Sequence, residues 1–201
     1  METAVKNTRL VTAEEFHKIE ERVEAKLEYD AGKIVPKEGS DPLPDWVVEE
    51  LLQEDFDENV LKYEFPMATS KHGILVTNIT GLLFMESMNH PFMVYGQSPN
   101  VYIALTGKYR IPDTTIAPDR EKQVYEKEML VNPIAIFEVL SYSTGSKDRG
   151  QKLHEYLSIE SLQEYFLVSQ EERMVERYQR AEDGRWNYEI ITEGQLNISS
   201  V

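Results

Sequence analysis

Apolar positions recur along this chain with two periods, and each marks a different kind of element. Thr12-Ala-Glu-Glu15 has the form of a capping box: a hydroxyl serves the orphan amides of a first helical turn, and a glutamate three positions on reaches back. It predicts a short helix from there to about Val23. Lys26-Leu-Glu-Tyr29 and Lys33-Ile-Val35 flank Asp30-Ala-Gly32, the pattern of a tight hairpin. Pro42 and Pro44 stand ahead of a short helix expected over Asp45 to Gln53. Farther on, Ile74, Leu75, Ile79, Leu82 and Leu83 fall at helical spacing behind Ser70, a suitable cap.

The period then changes. Phe92 to Tyr95, Asn100 to Leu105, Tyr109 to Ala117 and Ile134 to Leu140 are rich in β-branched and aromatic residues and are separated by turn residues, so they predict strands. Ile134-Ala-Ile-Phe-Glu-Val-Leu140 is nearly continuous in its apolar character, as in a strand buried on both faces. A helix is expected from about Lys147 to Leu157. After it come strands over Glu164 to Val168 and Met174 to Arg180, and a hairpin through Asp183-Gly184 into Trp186 to Ile191. With no internal repeat and no low-complexity linker, the order predicts one domain, 1–201, in which helices pack on a mixed α/β sheet.

Composition narrows the function classes. Among 201 residues, 41% are hydrophobic and the seven Phe and eleven Tyr are spread throughout, so the chain can build a core without staples. The absence of Cys excludes disulfides, thiolate metal sites and a Cys nucleophile. No apolar run approaches membrane-spanning length, and Met1 to Leu10 is polar and unlike a signal peptide, so the expectation is a cytoplasmic protein without a membrane partner. The formal charge of −15 is unusual for a nucleic-acid binder. It is uneven, however: Glu38 to Glu64 holds ten acids against one base, Lys62, which leaves −6 for everything else. Net charge governs solubility and long-range steering, not the local field of a site.

Within the apolar strand, Glu138 is out of place. A carboxylate among Ile136, Phe137, Val139 and Leu140 has to be paired or bound to a cation, and strand alternation puts it on the face of Ile136 and Leu140. Either it lies at the strand end beside an Arg or Lys, or it serves a site. Twenty-five residues earlier, Pro112 removes a ladder donor and marks a strand edge, bulge or start, from which Asp113 projects; a Pro-Asp pair is equally a common turn signal. Fourteen residues after Glu138 comes Lys152. With Asp148 and Tyr156 it occupies one helix face at four-residue spacing, as many solvated lysines do. Taken together, Asp113 and Glu138 on neighbouring strands could hold Mg²⁺ or Mn²⁺ through oxygen, and Lys152 could orient water and offset phosphate charge. Lys108, Arg110, Lys147 and Arg149 are either further phosphate contacts or solvated surface cations.

Pro112-Asp113, then Glu138-Val-Leu-Ser141, then the displaced Lys152 resemble the PD-(D/E)XK nuclease superfamily, and more closely the Uma-two putative restriction endonuclease family. The likeness extends over about residues 8 to 192. It includes Thr12-Ala-Glu-Glu15, Leu27-Glu28-Tyr29 with Gly32, Lys71-His72, Glu138-Val-Leu-Ser-Tyr-Ser-Thr144, Asp148, Lys152, Tyr156 and Glu164-Tyr-Phe-Leu-Val168. It implies a restriction-endonuclease-like mixed β-sheet flanked by helices. It also implies that Asp113 and Glu138 are metal ligands, that Lys152 is the catalytic lysine, and that Glu28 and His72 complete the site. Three departures stand out: Leu140 occupies the superfamily's usual lysine position, Tyr142 stands where a Pro is frequent, and the acidic stretch at about 38–66 is an insertion in the common core.

The function implied is divalent-metal-dependent endonucleolytic hydrolysis of DNA, with DNA as partner. A homodimer is in keeping with cutting two strands by two-fold symmetry, and the acidic segment could receive a protein partner. A non-catalytic protein- or nucleic-acid-binding module of the same fold is the alternative, supported by the −15 charge and by Leu140. A hydrolase of small phosphate esters is weaker, because no phosphate-cradling Gly-rich loop is present.

Overall fold

The computed structural model describes residues 9–39, 41–56, 63, 68–126, 128–141 and 145–201. The chain forms two compact units, Met1–Met67 and Ala68–Val201.

In the first unit, helix α1 (Ala13–Glu20) opens on the expected capping box: Thr12 Oγ1 accepts from the Glu15 amide at 3.2 Å, and Glu15 Oε2 accepts from the Thr12 amide at 2.8 Å. The helix stops short of the expected Val23. Beyond its final turn, Arg22 donates its guanidinium to the carbonyls of Leu51 and Gln53, at the open end of α2 (Asp45–Leu52). The hairpin of β1 (Leu27–Asp30) and β2 (Lys33–Pro36) forms in the expected register, Asp30 opposite Lys33. Ala31 and Gly32, at φ 49° and 89°, make the left-handed turn that a two-residue hairpin demands, and a Cβ on Gly32 would approach Leu10 Cβ to 3.1 Å. Phe16, Ile19, Leu27, Val47 and Leu51 are fully buried in this unit. Of the acidic stretch, Ser40, Asp57–Lys62 and Glu64–Met67 lie outside the described residues.

The second unit is organised on a mixed six-stranded sheet in the order β12-β11-β10-β9-β6-β3. These strands are β3 (Phe92–Gly96), β6 (Thr114–Pro118), β9 (Ala135–Leu140), β10 (Glu164–Ser169), β11 (Val175–Arg180) and β12 (Trp186–Ile191). Only β9 and β10 run parallel among them; the other neighbours are antiparallel. The parallel pair needs a crossover, supplied by a continuous helical stretch: α4 (Gly145–Lys147), a π-helical turn (Asp148–Lys152) and α5 (Leu153–Leu157). A smaller group of strands, β4 (Val101–Ile103), β5 (Lys108–Arg110), β7 (Tyr125–Glu126) and β8 (Met129–Leu130), pairs in the order β5-β4-β8-β7.

All six residues of β9 are buried, as the continuous apolar run requires. One face of the sheet carries Ile136, Leu140, Tyr165 and Leu167 against Val101, Ile103 and Tyr156. The other carries Ala135, Phe137 and Phe166 against Phe92 and Ile116, with Ile79 and Leu83 of helix α3 (Ser70–Ser87) on top. The residues expected as one strand, Tyr109 to Ala117, form two. Pro112 has no amide hydrogen for a ladder, and at this break the chain passes from β5 in the smaller group to β6 in the larger sheet.

Helix α3 differs from expectation in two details. Its cap is Thr69, whose hydroxyl accepts from the His72 amide, and Ser70 is the first helical residue. Its inward line is buried His72 and Val76 followed by half-buried Ile79 and Leu83, at steps of four, three and four, whereas Ile74 and Leu82 are 60% and 68% exposed. The helix is apolar nearly all round, so its sequence does not single out one stripe.

Phe137 and Phe166 stack with centroids 4.3 Å apart, an aromatic step across the parallel pair that holds β9 and β10 together. Phe166→Ala should lower the unfolding free energy by about 3–5 kcal/mol. Urea denaturation followed by tryptophan fluorescence measures this, and a loss below about 1 kcal/mol would contradict the packing described.

Candidate metal centre

The corner at Pro112 fixes the first functional side chain. In the antiparallel pairing of β6 with β9, Thr114 faces Phe137 and Thr115 faces Ile136, so continuing the register by one residue brings Asp113 opposite Glu138. The side chain agrees with this: Asp113 Oδ2 accepts from the Val139 amide at 2.7 Å, which ties the corner to β9. The Asp113 carbonyl accepts from the Gln97 amide, which anchors the corner from its other side. Asp113 Oδ1 lies 3.2 Å from His72 Nε2, on the first turn of α3, where the positive end of the helix favours a carboxylate. Both residues are buried.

Glu138 is 2% exposed and is met from the crossover helix. Lys152 Nζ donates to Glu138 Oε1 at 3.1 Å, and the Tyr156 hydroxyl donates to the same oxygen at 2.9 Å. Lys152 Nζ also lies 3.3 Å from Asp148 Oδ1. Lys152 and Asp148 are each 1% exposed. A charged amine this deep is stable only with its charge answered, and two carboxylates answer it. Tyr165, on β10 beside Ile136, donates its hydroxyl to the Asp148 carbonyl at 3.3 Å. Burial, and then the charges of Glu138 and Asp148, push this phenol well above its ordinary range, so it stays protonated and serves as a donor.

Asp113, Glu138, Lys152 and His72 therefore come together in the second unit. Glu28 belongs to the first unit, on β1, and is buried there. Leu140, at the superfamily's usual lysine position, is part of the core, and the amine of Lys152 occupies the space beside Glu138 instead. Asp148 and Tyr156 were visible in sequence as residues sharing the Lys152 face and as parts of the family likeness; Tyr165 was visible only within the likeness of Glu164 to Val168, and the parallel register brings it to the site.

Three of the cations that the sequence admits as phosphate contacts are otherwise engaged. Arg110, fully buried, donates Nε and Nη2 to Glu155 at 2.7 and 3.0 Å, and Lys108 lies 3.0 Å from the same carboxylate. Arg149 pairs with Glu176 at 2.6 Å and is 45% exposed. These pairings replace the solvated or phosphate-facing cations that the sequence admits, because carboxylates distant in sequence fold against them.

The donor set suits a hard divalent cation. Among the described residues of this unit, the bonds above link three buried carboxylates, Asp113, Glu138 and Asp148, to one ammonium and to His72. Three carboxylates against one ammonium leave the named group anionic, and its ligating atoms are oxygens and one imidazole nitrogen, a set that a hard divalent cation fits.

A family model described as "Putative restriction endonuclease" matches residues 63–201. The chain belongs to the Uma2 family. Two Synechocystis sp. relatives, both named as uncharacterized proteins, are each 29% identical: sll1609 over 94% of this chain and 90% of its own length, and slr1290 over 81% and 89%. The fold is also that of a crystal structure described as a putative nuclease belonging to DUF820, from Anabaena variabilis. The TM-score is 0.61 at 16% identity, covering 89% of this chain and 84% of the other. Uma2 membership and this neighbour agree with the restriction-endonuclease-like architecture expected from the sequence. Among the described residues, no helix is long and apolar enough to cross a membrane.

Burial raises the proton affinity of Glu155, but the hydrogen bonds and charge of Arg110, with Lys108, outweigh it and hold the carboxyl below its ordinary value. A value lower in the folded than in the unfolded state contributes stability above the ordinary glutamate range, and that contribution is lost as pH falls through the folded value. Glu155→Gln should therefore cost about 3–5 kcal/mol at pH 7, where a buried guanidinium loses its counter-ion. The deficit should shrink on acidification below about pH 4. Urea titrations of both proteins across that range measure it, and a deficit independent of pH would contradict the assignment.

Proposed function

We propose that this chain is a divalent-metal-dependent endonuclease that hydrolyses DNA phosphodiester bonds. The observation that carries the reading is the buried junction of Asp113, aligned on β9 by the Val139 amide, with Glu138 and the ammonium of Lys152. Asp113 and Glu138 would hold Mg²⁺ or Mn²⁺. When bound, such an ion supplies Lewis acidity toward a phosphoryl oxygen and lowers the pKa of water. The remaining work falls to the protein. Lys152 orients the attacking water and offsets charge developing on the phosphate. Tyr156 fixes the rotamer of Glu138, and His72 fixes that of Asp113. The interior is already organised, so little reorganisation accompanies the reaction. Uma2 membership, and a fold shared with a protein described as a nuclease, support the same reaction class.

A non-catalytic binding module of the same fold is the second reading. It is favoured by the internal pairing of Arg110, Lys108 and Arg149, which withdraws three expected cations from phosphate.

One set of measurements separates the two. In Mn²⁺ the wild type should nick supercoiled plasmid, and Lys152→Ala should slow nicking by about 10²–10³-fold. Asp113→Asn and Glu138→Gln should abolish both nicking and cation binding. Ion at about 100 times its Kd should stabilise the wild type by about 2.7 kcal/mol and these two variants not at all. Equal stabilisation of all three, or plasmid left intact by wild type in Mn²⁺, would move the assignment to the binding module.

A further inference from the structure

We infer that Asp148 is the positioning residue for Lys152: it keeps the ammonium in place when Glu138 is drawn toward a cation. The inference rests on the nuclease reading above for its kinetic consequence, though not for its structural one.

Glu138 Oε1 and Asp148 Oδ1 lie 3.1 and 3.3 Å from Lys152 Nζ. They differ in what else they do. Glu138 belongs to the sheet and shares the junction with Asp113, whose carboxylate bonds the next residue of β9. Asp148 belongs to the same helical stretch as Lys152, one turn earlier, so it moves with the lysine. A cation seated on Glu138 competes with the ammonium for the same oxygen, and like charges repel. The lysine then needs a second anion that is not itself a ligand, and Asp148 is the one placed for this.

Three features hold Asp148 to that task. It is 1% exposed, so water does not screen the pair. Its own carbonyl accepts from the Tyr165 hydroxyl, which ties its turn to β10, the strand beside Glu138. The turn from Asp148 to Lys152 is π-helical within an otherwise α-helical stretch, a departure from regular geometry that occurs here at the two residues in question. A purely structural ion pair could have used Glu138 alone, which already answers the lysine's charge. A second buried carboxylate beside the same ammonium adds negative charge, which suits a site that receives a cation.

The test uses the full chain as wild type, Asp148→Ala, Asp148→Asn and Lys152→Ala. Two quantities are read: Mn²⁺-dependent plasmid nicking, and the ¹⁵N resonance of the lysine side-chain ammonium, assigned by its loss in Lys152→Ala. A held, buried ammonium exchanges slowly and gives a signal. In Asp148→Ala that signal should disappear when Mg²⁺, which is diamagnetic, is added, while in wild type it persists. kcat should fall by about 10–100-fold with KM changed by less than about threefold. Asp148→Asn, which keeps an oxygen beside Nζ, should restore the signal and recover part of kcat.

Persistence of the Lys152 signal in Asp148→Ala with Mg²⁺, or failure of Asp148→Asn to improve on Asp148→Ala, would overturn the inference. Should Asp148→Ala not fold, the comparison of Asp148→Asn with Asp148→Ser decides by the same two readouts. If wild type itself nicks nothing, the nuclease reading fails, and the ammonium signal alone still decides the position of Lys152.

Discussion

A carboxylate at the centre of a strand buried on both faces has to be answered from outside the strand, and the answer given to Glu138 organises much of the second unit. The sheet cannot supply it: the parallel neighbour of Glu138 is Leu167, and its same-face neighbours are Ile136 and Leu140. The crossover helix required by the parallel pairing of β9 and β10 does supply it, through Lys152 and Tyr156. The topological need for a crossover and the electrostatic need for a counter-charge are met by the same stretch of chain. Asp148, one turn away on the same helical stretch, is a second carboxylate beside the Lys152 amine.

Much of this was legible because it is local. The apolar run with Glu138 inside it, the proline that interrupts the strand before Asp113, and the four-residue spacing of Asp148, Lys152 and Tyr156 are short-range patterns, and each leads to a definite consequence. The capping box at Thr12 and the hairpin at Gly32 are equally short-range and formed as expected. What could not be read was pairing between distant residues. Arg110 reads as a surface cation until Glu155, forty-five residues later, is folded against it. Tyr165 enters the site only because β10 lies in register with β9. The orientation of α3 was hidden for another reason: apolar residues surround the helix, so the inward line of His72, Val76, Ile79 and Leu83 has competitors, and tertiary packing alone selects among them.

The acidity of the chain bears on the site less than its total charge indicates. Near the junction Arg110 and Lys108 share Glu155, Arg149 meets Glu176, and Lys152 meets Glu138 and Asp148. The local field is set by these short pairs rather than by the sum over the chain.

The Arg110–Glu155 pair has a mechanical side. Arg110 stands three residues before Asp113, and Glu155 three residues after Lys152, so the pair joins the two arms of the junction at matching distances from its centre. It works as a strut. The corner that presents Asp113 and the helix that presents Lys152 cannot spread apart without opening two buried, charge-assisted bonds, a motion far less frequent than a side-chain rotation. A scissile phosphate would thus meet a gap of set width, and tolerance for different backbones would depend on how the nucleic acid deforms rather than on how the protein yields.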